Sequence, residues 1–170
     1  MLLPENRLIC RSYWFQSERR VTQPKIVDAL FGDSVGLVYN RVIPASEALE
    51  AVPAYLFNIV LLNGTPIGQI DLRLGSKPSL LKYGGQLGYG IRRGYRGHSY
   101  AAEACLLLKT VALEEGFSEL WITCNPDNIA SIRTCEKIGA TYIERVDVPQ
   151  GSELWRRGDR AKLRYLWSLT

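Results

Sequence analysis

The sequence predicts a single α/β domain over all 170 residues, with a mixed, mostly antiparallel central sheet and helices on both faces. We expect about six to seven strands in that sheet. Two apolar runs flank an Asn-Gly pair, which predicts a β-hairpin. Later segments alternate between strand-like and helix-like apolar spacing, which predicts helices packed on a sheet. The length and the 46% apolar content suit one domain with its own core.

The N-terminal third is predicted to hold one strand and two helices. Residues Arg7 to Phe15 favour a strand because the segment ends in three aromatic side chains. A helix is expected from Pro24, because apolar residues follow it at helical spacing, at positions 26, 27, 30 and 31. A second short helix is expected from Pro44 to Glu50.

The centre of the chain is predicted to form three strands. Ala54 to Leu62 is an apolar strand, Asn63-Gly64 a type I′ turn, and Ile67 to Leu74 the returning strand. A turn rich in Gly, Ser and Pro spans Gly75 to Gly85, and the next strand runs from Gln86 to Ile91. That strand contains two glycines, which mark a bulge or a close approach of another group to the backbone.

The C-terminal half alternates helices and strands. Tyr100 to Glu115 carries apolar residues at helical spacing and ends before Gly116. Leu120 to Cys124 is a continuous apolar strand, which suggests burial on both faces. Asp127 or Asn128 is then expected to cap a helix that runs to Ile138. The last two strands are expected at Thr141 to Val148 and Ala161 to Leu169.

Composition and charge narrow the classes of function. The net charge of +4 suits an anionic ligand, but it is too weak and too dispersed to indicate nucleic-acid binding. No apolar stretch approaches the ~18 residues of a membrane span. The polar N-terminus does not resemble a signal peptide. We therefore expect a cytoplasmic protein that binds neither nucleic acid nor membranes.

The cysteines and the single histidine argue against a metal site. The four cysteines are scattered, with no CxxC pair and no His-Cys cluster, at Cys10, Cys105, Cys124 and Cys135. We expect reduced thiols that pack as small apolar side chains. His98 alone cannot build a histidine-based metal site, so no metal cofactor is expected.

The loop from Arg96 to Ala101 joins a predicted strand to the longest predicted helix. A loop that leads into a helix N-terminus presents free backbone N–H groups and the positive end of the helix dipole, so it can bind an anion such as phosphate. The same composition also suits an ordinary connection between a strand and a helix. The loop has neither the Gly-Lys-Ser/Thr of a P-loop nor the GxGxxG of dinucleotide-binding folds.

A second segment, from Asn125 to Ala140, adds polar groups near that loop. Positions 128, 131, 135 and 138 share one face of the predicted helix. An amide, a hydroxyl and a thiol therefore lie along one stripe, from Asn128, Ser131 and Cys135.

The span from about Gln86 to Thr141 resembles the GNAT superfamily of acetyl-CoA-dependent N-acetyltransferases. The similar residues are Leu-Gly-Tyr-Gly-Ile-Arg, the loop at Arg96 to Ala101, and Asn-Pro-Asp-Asn-Ile-Ala-Ser followed by Glu-Lys-Ile-Gly-Ala. The family loop reads Gln/Arg-x-x-Gly-x-Gly/Ala, and Ser99 stands where Gly is usual. The resemblance covers a third of the chain and implies a GNAT-like fold with a splayed pair of parallel strands.

The resemblance implies acetyl-CoA as cosubstrate and assigns its binding residues by position. Pantetheine would lie between the strand that ends near Ile91 and the strand at Leu120 to Cys124. It would pair with the backbone of Ile91, Arg92 and Arg93. The pyrophosphate would be held by Arg96, Gly97, His98, Ser99, Tyr100 and Ala101. Asn128 and Ser131 would contact the pantetheine arm, and N–H groups near Gly90 and Ile91 would stabilise an oxyanion.

Two positions depart from the family pattern and bear on catalysis. Many relatives carry a Tyr in place of Cys135, where it protonates the departing thiolate. The Cys135 thiol could donate a proton or could simply pack in the core. Many relatives also carry a Glu in place of Gln86, and Gln cannot act as a general base. The candidates for the base are Asp71, which could equally be a surface residue, or a water held by Gln86.

The resemblance implies an enzyme that moves acetyl from acetyl-CoA to a primary amine by direct attack in a ternary complex. The acceptor is expected to be a small molecule or a peptide N-terminus, and a homodimer is one assembly compatible with the sequence. The alternative is a non-catalytic CoA-binding module of the same fold, which the missing Glu and Tyr would explain.

Overall fold

The structure is a computed structural model that describes residues 23–25 and 29–170. The strand expected at Arg7 to Phe15 lies outside the described residues. The strands are β1 Leu30–Phe31, β2 Val35–Ile43, β3 Ala54–Leu61, β4 Pro66–Arg73, β5 Leu87–Ile91, β6 Glu119–Cys124, β7 Thr141–Asp147 and β8 Ala161–Ser168. The helices are α1 Tyr100–Glu114, α2 Ile129–Lys137 and the short α3 Glu153–Arg156.

These strands form two antiparallel sheets instead of the predicted single sheet. The first holds five strands in the order β1-β2-β3-β4-β5, and the second holds three in the order β6-β8-β7. The two sheets meet where the N–H of Gln86 donates to the carbonyl of Trp121 at 2.7 Å. Beyond this point β5 and β6 make no ladder within the described part of the chain. The six to seven strands expected in one central sheet are thus divided between two sheets, and the splay expected from the resemblance falls between β5 and β6.

The helix expected from Pro24 is contradicted at its C-terminal end. Leu30 and Phe31 form β1 and pair with Leu37 and Gly36 of β2, a strand that the sequence analysis missed. Val35 and Leu37 are fully buried against the helical side of the sheet. Burial in the core, rather than local apolar spacing, therefore decides the structure here.

The helix expected from Pro44 to Glu50 is also largely absent. The segment forms turns, followed by a single 3-10 turn at Leu49–Ala51. Glu50 and Ala51 have φ of 58° and 51°, in the left-handed region, so the right-handed helical path cannot continue through them.

The β3–β4 hairpin is present, but its turn differs from the predicted type. Gly64 has φ +85°, whereas Asn63 does not have positive φ, so a type I′ turn is excluded. The N–H of Gly64 donates to the carbonyl of Leu61 at 2.8 Å, and the N–H of Leu61 donates to the carbonyl of Thr65 at 2.9 Å. This is a three-residue loop, with a turn followed by a left-handed glycine.

One core joins both sheets to the two long helices. Fully buried side chains from each part meet there, including Phe57, Ile70, Leu108, Leu120 and Cys135. Helices were expected on both faces of the sheet, and the two long helices α1 and α2 lie on the same side. Within the described residues, the other face of the second sheet is covered by a short π-helical turn at Leu80–Gly84, which contacts β6 and β8.

Candidate active site

Strand β5 separates two pockets of different character. The smaller pocket, of about 370 Å³, lies between the loop at 95–101 and one face of α2. The larger pocket, of about 720 Å³, lies on the face of the five-stranded sheet that α1 does not cover. The residues common to both are Tyr89, Gly90 and Ile91. A ligand in one pocket is therefore separated from a ligand in the other by one strand.

The smaller pocket opens where two strands end. Strand β5 leads into α1 and strand β6 leads into α2, and the first turn of each helix lines the pocket. The carboxyl ends of β5 and β6 thus point the same way, although no ladder joins them in the part of the chain that the structure describes. Crevices of this kind, at the carboxyl ends of adjacent strands, are common ligand sites in α/β proteins.

The register between β4 and β5 decides which backbone groups face the gap beside β5. The N–H of Arg92 donates to the carbonyl of Ile67 at 2.8 Å, so even-numbered residues of β5 bond to β4. The backbone groups of Tyr89 and Ile91 consequently face the gap. The carbonyl of Ile91 accepts a hydrogen bond from Arg96 Nε at 2.9 Å. The N–H of Ile91, but not that of Gly90, is oriented toward the gap.

The loop before α1 presents a group of backbone donors to the smaller pocket. No acceptor is found among the described residues for the N–H groups of five consecutive residues, Gly97, His98, Ser99, Tyr100 and Ala101. Gly97 and Ser99 have φ of 91° and 64°. Alternating backbone conformations of this kind turn successive N–H groups toward one side, and the N-terminal end of α1 adds its positive dipole.

The side chains that line the smaller pocket are basic. The charged or titratable cationic groups are Arg96, His98, Arg133 and Lys137, and no acidic side chain of the described residues lines it. Lys137 Nζ donates to the hydroxyl of Ser99, which joins α2 to the loop. The sequence analysis missed Arg133 and Lys137. Their i, i+4 spacing on the helix that carries Ser131 was the signal that could have found them.

Asn128 and Ser131, which the resemblance assigns to the pantetheine arm, both line the smaller pocket. Asn128 is the N-cap of α2, and its Oδ1 accepts from the N–H of Ser131 at 3.1 Å. This bond satisfies one of the free donors at the helix N-terminus. The amide of Asn128 therefore has a structural task besides any contact with a ligand.

Asp71 and Arg73 form an ion pair on the wall of the larger pocket. Asp71 Oδ2 lies 3.0 Å from Arg73 Nε. Burial raises the pKa of Asp71, although the Arg73 guanidinium acts in the opposite direction. Gly88 makes room for this pair, because a Cβ there would lie 2.4 Å from Asp71 Oδ1. Asp71 is the one carboxylate among the described residues that line this pocket.

Three side-chain amides lie on the same face of the sheet as Asp71. Asn58 Oδ1 accepts from Asn40 Nδ2 and from Gln69 Nε2, each at 3.2 Å. Asn58 and Gln69 line the larger pocket. They give its floor both hydrogen-bond donors and acceptors without added charge.

Of the other expected cofactor residues, Arg92 lines the larger pocket and Arg93 lines neither pocket. Arg93 lies in a 3-10 turn at Arg93–Tyr95, which follows β5. Within the described residues there is no group of three or more His, Cys, Asp or Glu side chains that could hold a metal ion. The helices described by the structure include none that is long and apolar enough to span a membrane.

A family model described as an acetyltransferase (GNAT) domain matches residues 13–141. The chain belongs to the GNAT acetyltransferase family. The comparison with curated proteins finds no match.

Solved GNAT structures share the fold. A GNAT-family acetyltransferase from Bacillus anthracis is 24% identical, with a TM-score of 0.52, over 67% of this chain and 66% of that one. This chain thus spans slightly less than two thirds of that relative. Mycobacterium smegmatis RimJ, solved in complex with CoA-disulfide, has 15% identity and a TM-score of 0.62, over 86% of this chain and 90% of that one. A putative ribosomal-protein-serine acetyltransferase from Vibrio cholerae has 15% identity and a TM-score of 0.58, over 86% and 99%.

Gln86, which stands where many GNAT relatives carry Glu, lines neither pocket. Its side chain is 4% exposed and joins the two sheets. Nε2 donates to the carbonyl of Gly75 at 2.9 Å, and Oε1 accepts from the N–H of Trp121 at 3.0 Å. Both ends of the amide are engaged in backbone contacts. The geometry therefore gives Gln86 a structural place and does not favour the expectation that it holds a catalytic water.

Cys135, which stands where many GNAT relatives carry Tyr, is fully buried and lines neither pocket. Burial raises the pKa of its thiol to about 12. Tyr89 lies between this thiol and the smaller pocket, with its hydroxyl 4.0 Å from Cys135 Sγ and 3.4 Å from the carbonyl of Ser131. The sequence analysis missed Tyr89. Gly88 and Gly90, which flank it, could have drawn attention to it, because Tyr89 is the one large side chain between two residues that have none.

Proposed function

We propose that this GNAT protein is an acetyl-CoA-dependent N-acetyltransferase that moves acetyl to a primary amine by direct attack in a ternary complex. The observation that carries the proposal is the pair of pockets that share β5. One pocket is lined by basic side chains and by N–H groups without an acceptor among the described residues. The other is lined by one carboxylate, two amides and the guanidinium groups of Arg73 and Arg92. Two substrates bound in these pockets would meet at Tyr89, Gly90 and Ile91.

The smaller pocket suits the phosphates of acetyl-CoA. Five N–H groups at a helix N-terminus, for which the described part of the chain offers no acceptor, favour an anion together with the charges of Arg96, Arg133 and Lys137. No acidic side chain among the described lining residues opposes it. The N–H of Ile91 is oriented to donate to a ligand amide or carbonyl in the gap. Ser131 adds a hydroxyl from α2. Bound acetyl-CoA supplies the activated thioester.

Asp71 is the proposed general base in the larger pocket. An amine must lose a proton to become a nucleophile, so a nearby carboxylate promotes the reaction. A carboxylate with a raised pKa accepts a proton more readily near neutral pH, and burial raises the pKa of Asp71. Arg73 holds the carboxylate in place at 3.0 Å.

The acceptor is proposed to be a small amine or a peptide N-terminus, bound on the amide floor of the larger pocket. We place the protein in the cytoplasm, where its three described cysteines, which are free thiols, stay reduced. A non-catalytic CoA-binding module is the second candidate. Two observations favour it. Gln86 stands at the position of the family's usual base but bonds only to backbone groups, and Cys135 stands at the position of the usual acid but is fully buried.

Acetyl-CoA consumption in the presence of a panel of amines and N-terminal peptides tests the proposal. We expect at least one acceptor to be acetylated, with activity that rises with pH as Asp71 loses its proton. Asp71→Asn should lower kcat by about a hundredfold. It should also abolish the rise in activity with pH that the wild-type protein shows on the acidic side of its profile. Asp147→Asn, at an exposed position on β7, is the matched control and should change neither.

Two outcomes would contradict the proposal. If the wild-type protein binds acetyl-CoA but transfers acetyl to none of the acceptors tested, the protein is a CoA-binding module and not an enzyme. If the wild-type protein acetylates an acceptor and Asp71→Asn has the same kcat and the same rise in activity with pH, another group removes the proton. Asp71 then only forms the ion pair with Arg73.

A further inference from the structure

The side chain of Tyr89 crosses from β5 to α2. Its hydroxyl lies 3.4 Å from the carbonyl of Ser131 and 4.0 Å from Cys135 Sγ. Hydrogen bonds between two oxygens usually measure about 2.5–3.0 Å. The phenol thus holds its protein partner only weakly, and its proton can be donated to a better acceptor in the smaller pocket.

The shared wall between the two pockets offers few polar side chains. Gly88 and Gly90 have none, and Ile91 is apolar. The Tyr89 hydroxyl is therefore the polar side-chain group that this stretch of β5 supplies. Any transfer between ligands in the two pockets takes place across this stretch, and Tyr89 lines both pockets there.

The groups that face Tyr89 keep its hydroxyl protonated. Burial raises the pKa of Tyr89, and the thiols of Cys135 on α2 and Cys105 on α1 raise it further. Burial also raises the pKa of both thiols. None of these groups supplies a positive charge next to the phenol. The cationic groups that line the same pocket are Arg96, His98, Arg133 and Lys137.

We propose that Tyr89 is a catalytic residue that donates a hydrogen bond to the thioester sulfur as the carbon–sulfur bond breaks, in place of the buried thiol of Cys135. The inference rests on the proposed function. The amine nitrogen forms the new bond to the acetyl carbon, and its proton passes to Asp71. The electron pair of the carbon–sulfur bond stays on sulfur, which leaves as a thiolate. Tyr89 keeps its proton, and water later protonates the thiolate and takes the proton from Asp71.

The test compares the binding of CoA with that of acetyl-CoA across pH, by calorimetry. The two ligands share their phosphates, so the basic side chains that line the pocket affect both alike. Only CoA has a thiol, which ionises to a thiolate as the pH rises, as a cysteine thiol does with a reference pKa of about 8.5. A donated hydrogen bond favours the thiolate, so CoA should gain affinity relative to acetyl-CoA as the pH rises from about 6 to about 9.

Tyr89→Phe should remove this gain. A hydrogen bond to a charged group changes an equilibrium by about tenfold or more, so the affinity for CoA at the upper end of the pH range should fall by that factor. The affinity for acetyl-CoA should change less than about twofold, and kcat should fall by about tenfold or more. Cys135→Ala should keep the gain, and so should Tyr142→Phe, at an exposed tyrosine on β7.

A wild-type protein that binds CoA and acetyl-CoA with the same pH dependence would overturn the inference without any variant. So would a gain that survives in Tyr89→Phe but is lost in Cys135→Ala, which would assign the donor to the thiol. If wild-type protein binds neither ligand, the proposed function fails first. If it binds both and acetylates an amine, failure of the pH test concerns Tyr89 alone.

Discussion

Ser99 adopts a backbone conformation that L-amino acids rarely take. It precedes α1 with φ 64° and ψ 13°, in the left-handed region. The resemblance to GNAT loops already marked this position as one where Gly is usual, and the dihedral angles explain the preference. The strain is partly offset because the Ser99 hydroxyl accepts a hydrogen bond from Lys137. Ser99 thus has a strained backbone, but its hydroxyl connects the loop to α2.

Ser99→Gly should raise the free energy of unfolding by about 1 kcal/mol, because glycine adopts positive φ without the steric cost. Denaturant unfolding followed by circular dichroism measures the change. Ser118→Gly is the matched control, at an exposed serine outside the left-handed region, and should lower stability slightly. If Ser99→Gly is destabilising by as much as the control, the bond to Lys137 outweighs the strain.

Single residues show how far the sequence could predict the site. Gly97, Asn128 and Ser131, which the sequence marked as cofactor-binding candidates, line the smaller pocket, because they belong to local motifs at the start of two helices. Tyr89 and Cys135 are 46 positions apart, and their contact depends on how α2 packs against β5. Local sequence patterns carry no information on such a contact, so the neighbours of the Tyr89 hydroxyl could not be predicted.

Strands β4 and β5 approach each other unusually closely beside the pockets. A Cβ on Gly68 would lie 2.2 Å from the carbonyl oxygen of Gly90, and that oxygen belongs to the paired strand. A Cβ on Gly90 would have no atom within 4 Å. The two glycines therefore serve different purposes, since one permits the ladder and the other leaves the wall of the larger pocket bare.

Gly68→Ala should lower the free energy of unfolding by about 1–3 kcal/mol, because backbone atoms of a paired strand cannot move aside cheaply. Gly90→Ala should change it by less than about 0.5 kcal/mol, the usual range for uncrowded positions. Thermal or denaturant unfolding of both variants provides the measurement. If both variants lower the free energy of unfolding by the same amount, the close approach at Gly68 does not make a Cβ there more costly than at Gly90.

Elements with strong local signals were predicted best. The predicted helix from Tyr100 to Glu115 agrees with α1 to one residue, because apolar spacing sets its buried face and Gly116, with φ 89°, ends it. The helix expected from Pro24 is wrong at its C-terminal end, where apolar spacing predicted a helix at positions 30 and 31. Leu30 and Phe31 pair with β2 instead, and that pairing is a tertiary event.

At the scale of the whole molecule, the division into two sheets creates the smaller pocket. Gln86 and Trp121 join the sheets at one point, through a backbone bond of 2.7 Å and a side-chain bond of 3.0 Å. From there β5 and β6 separate and leave room for a ligand. The resemblance to GNAT proteins implied that these two strands splay apart. Strand length and apolar content alone could not predict this, because they are the same whether neighbouring strands pair or separate.

The measurement that tests the central claim most directly is acetyl-CoA binding by calorimetry to the wild-type protein, Gly97→Asp, Gly97→Ala and Gly94→Asp. Gly97 lies in the loop of free N–H groups with φ 91°, whereas Gly94, three positions earlier, lines neither pocket. Gly97→Ala carries the same backbone strain as Gly97→Asp without its charge.

The account predicts that Gly97→Asp weakens binding by more than about tenfold, since a carboxylate would face the phosphates. Gly97→Ala should lose less, and Gly94→Asp should bind like the wild type, with circular dichroism unchanged in all three variants. Wild-type protein that does not bind acetyl-CoA, or folded Gly97→Asp that binds it as tightly as Gly94→Asp, would contradict the claim that this loop holds the cosubstrate.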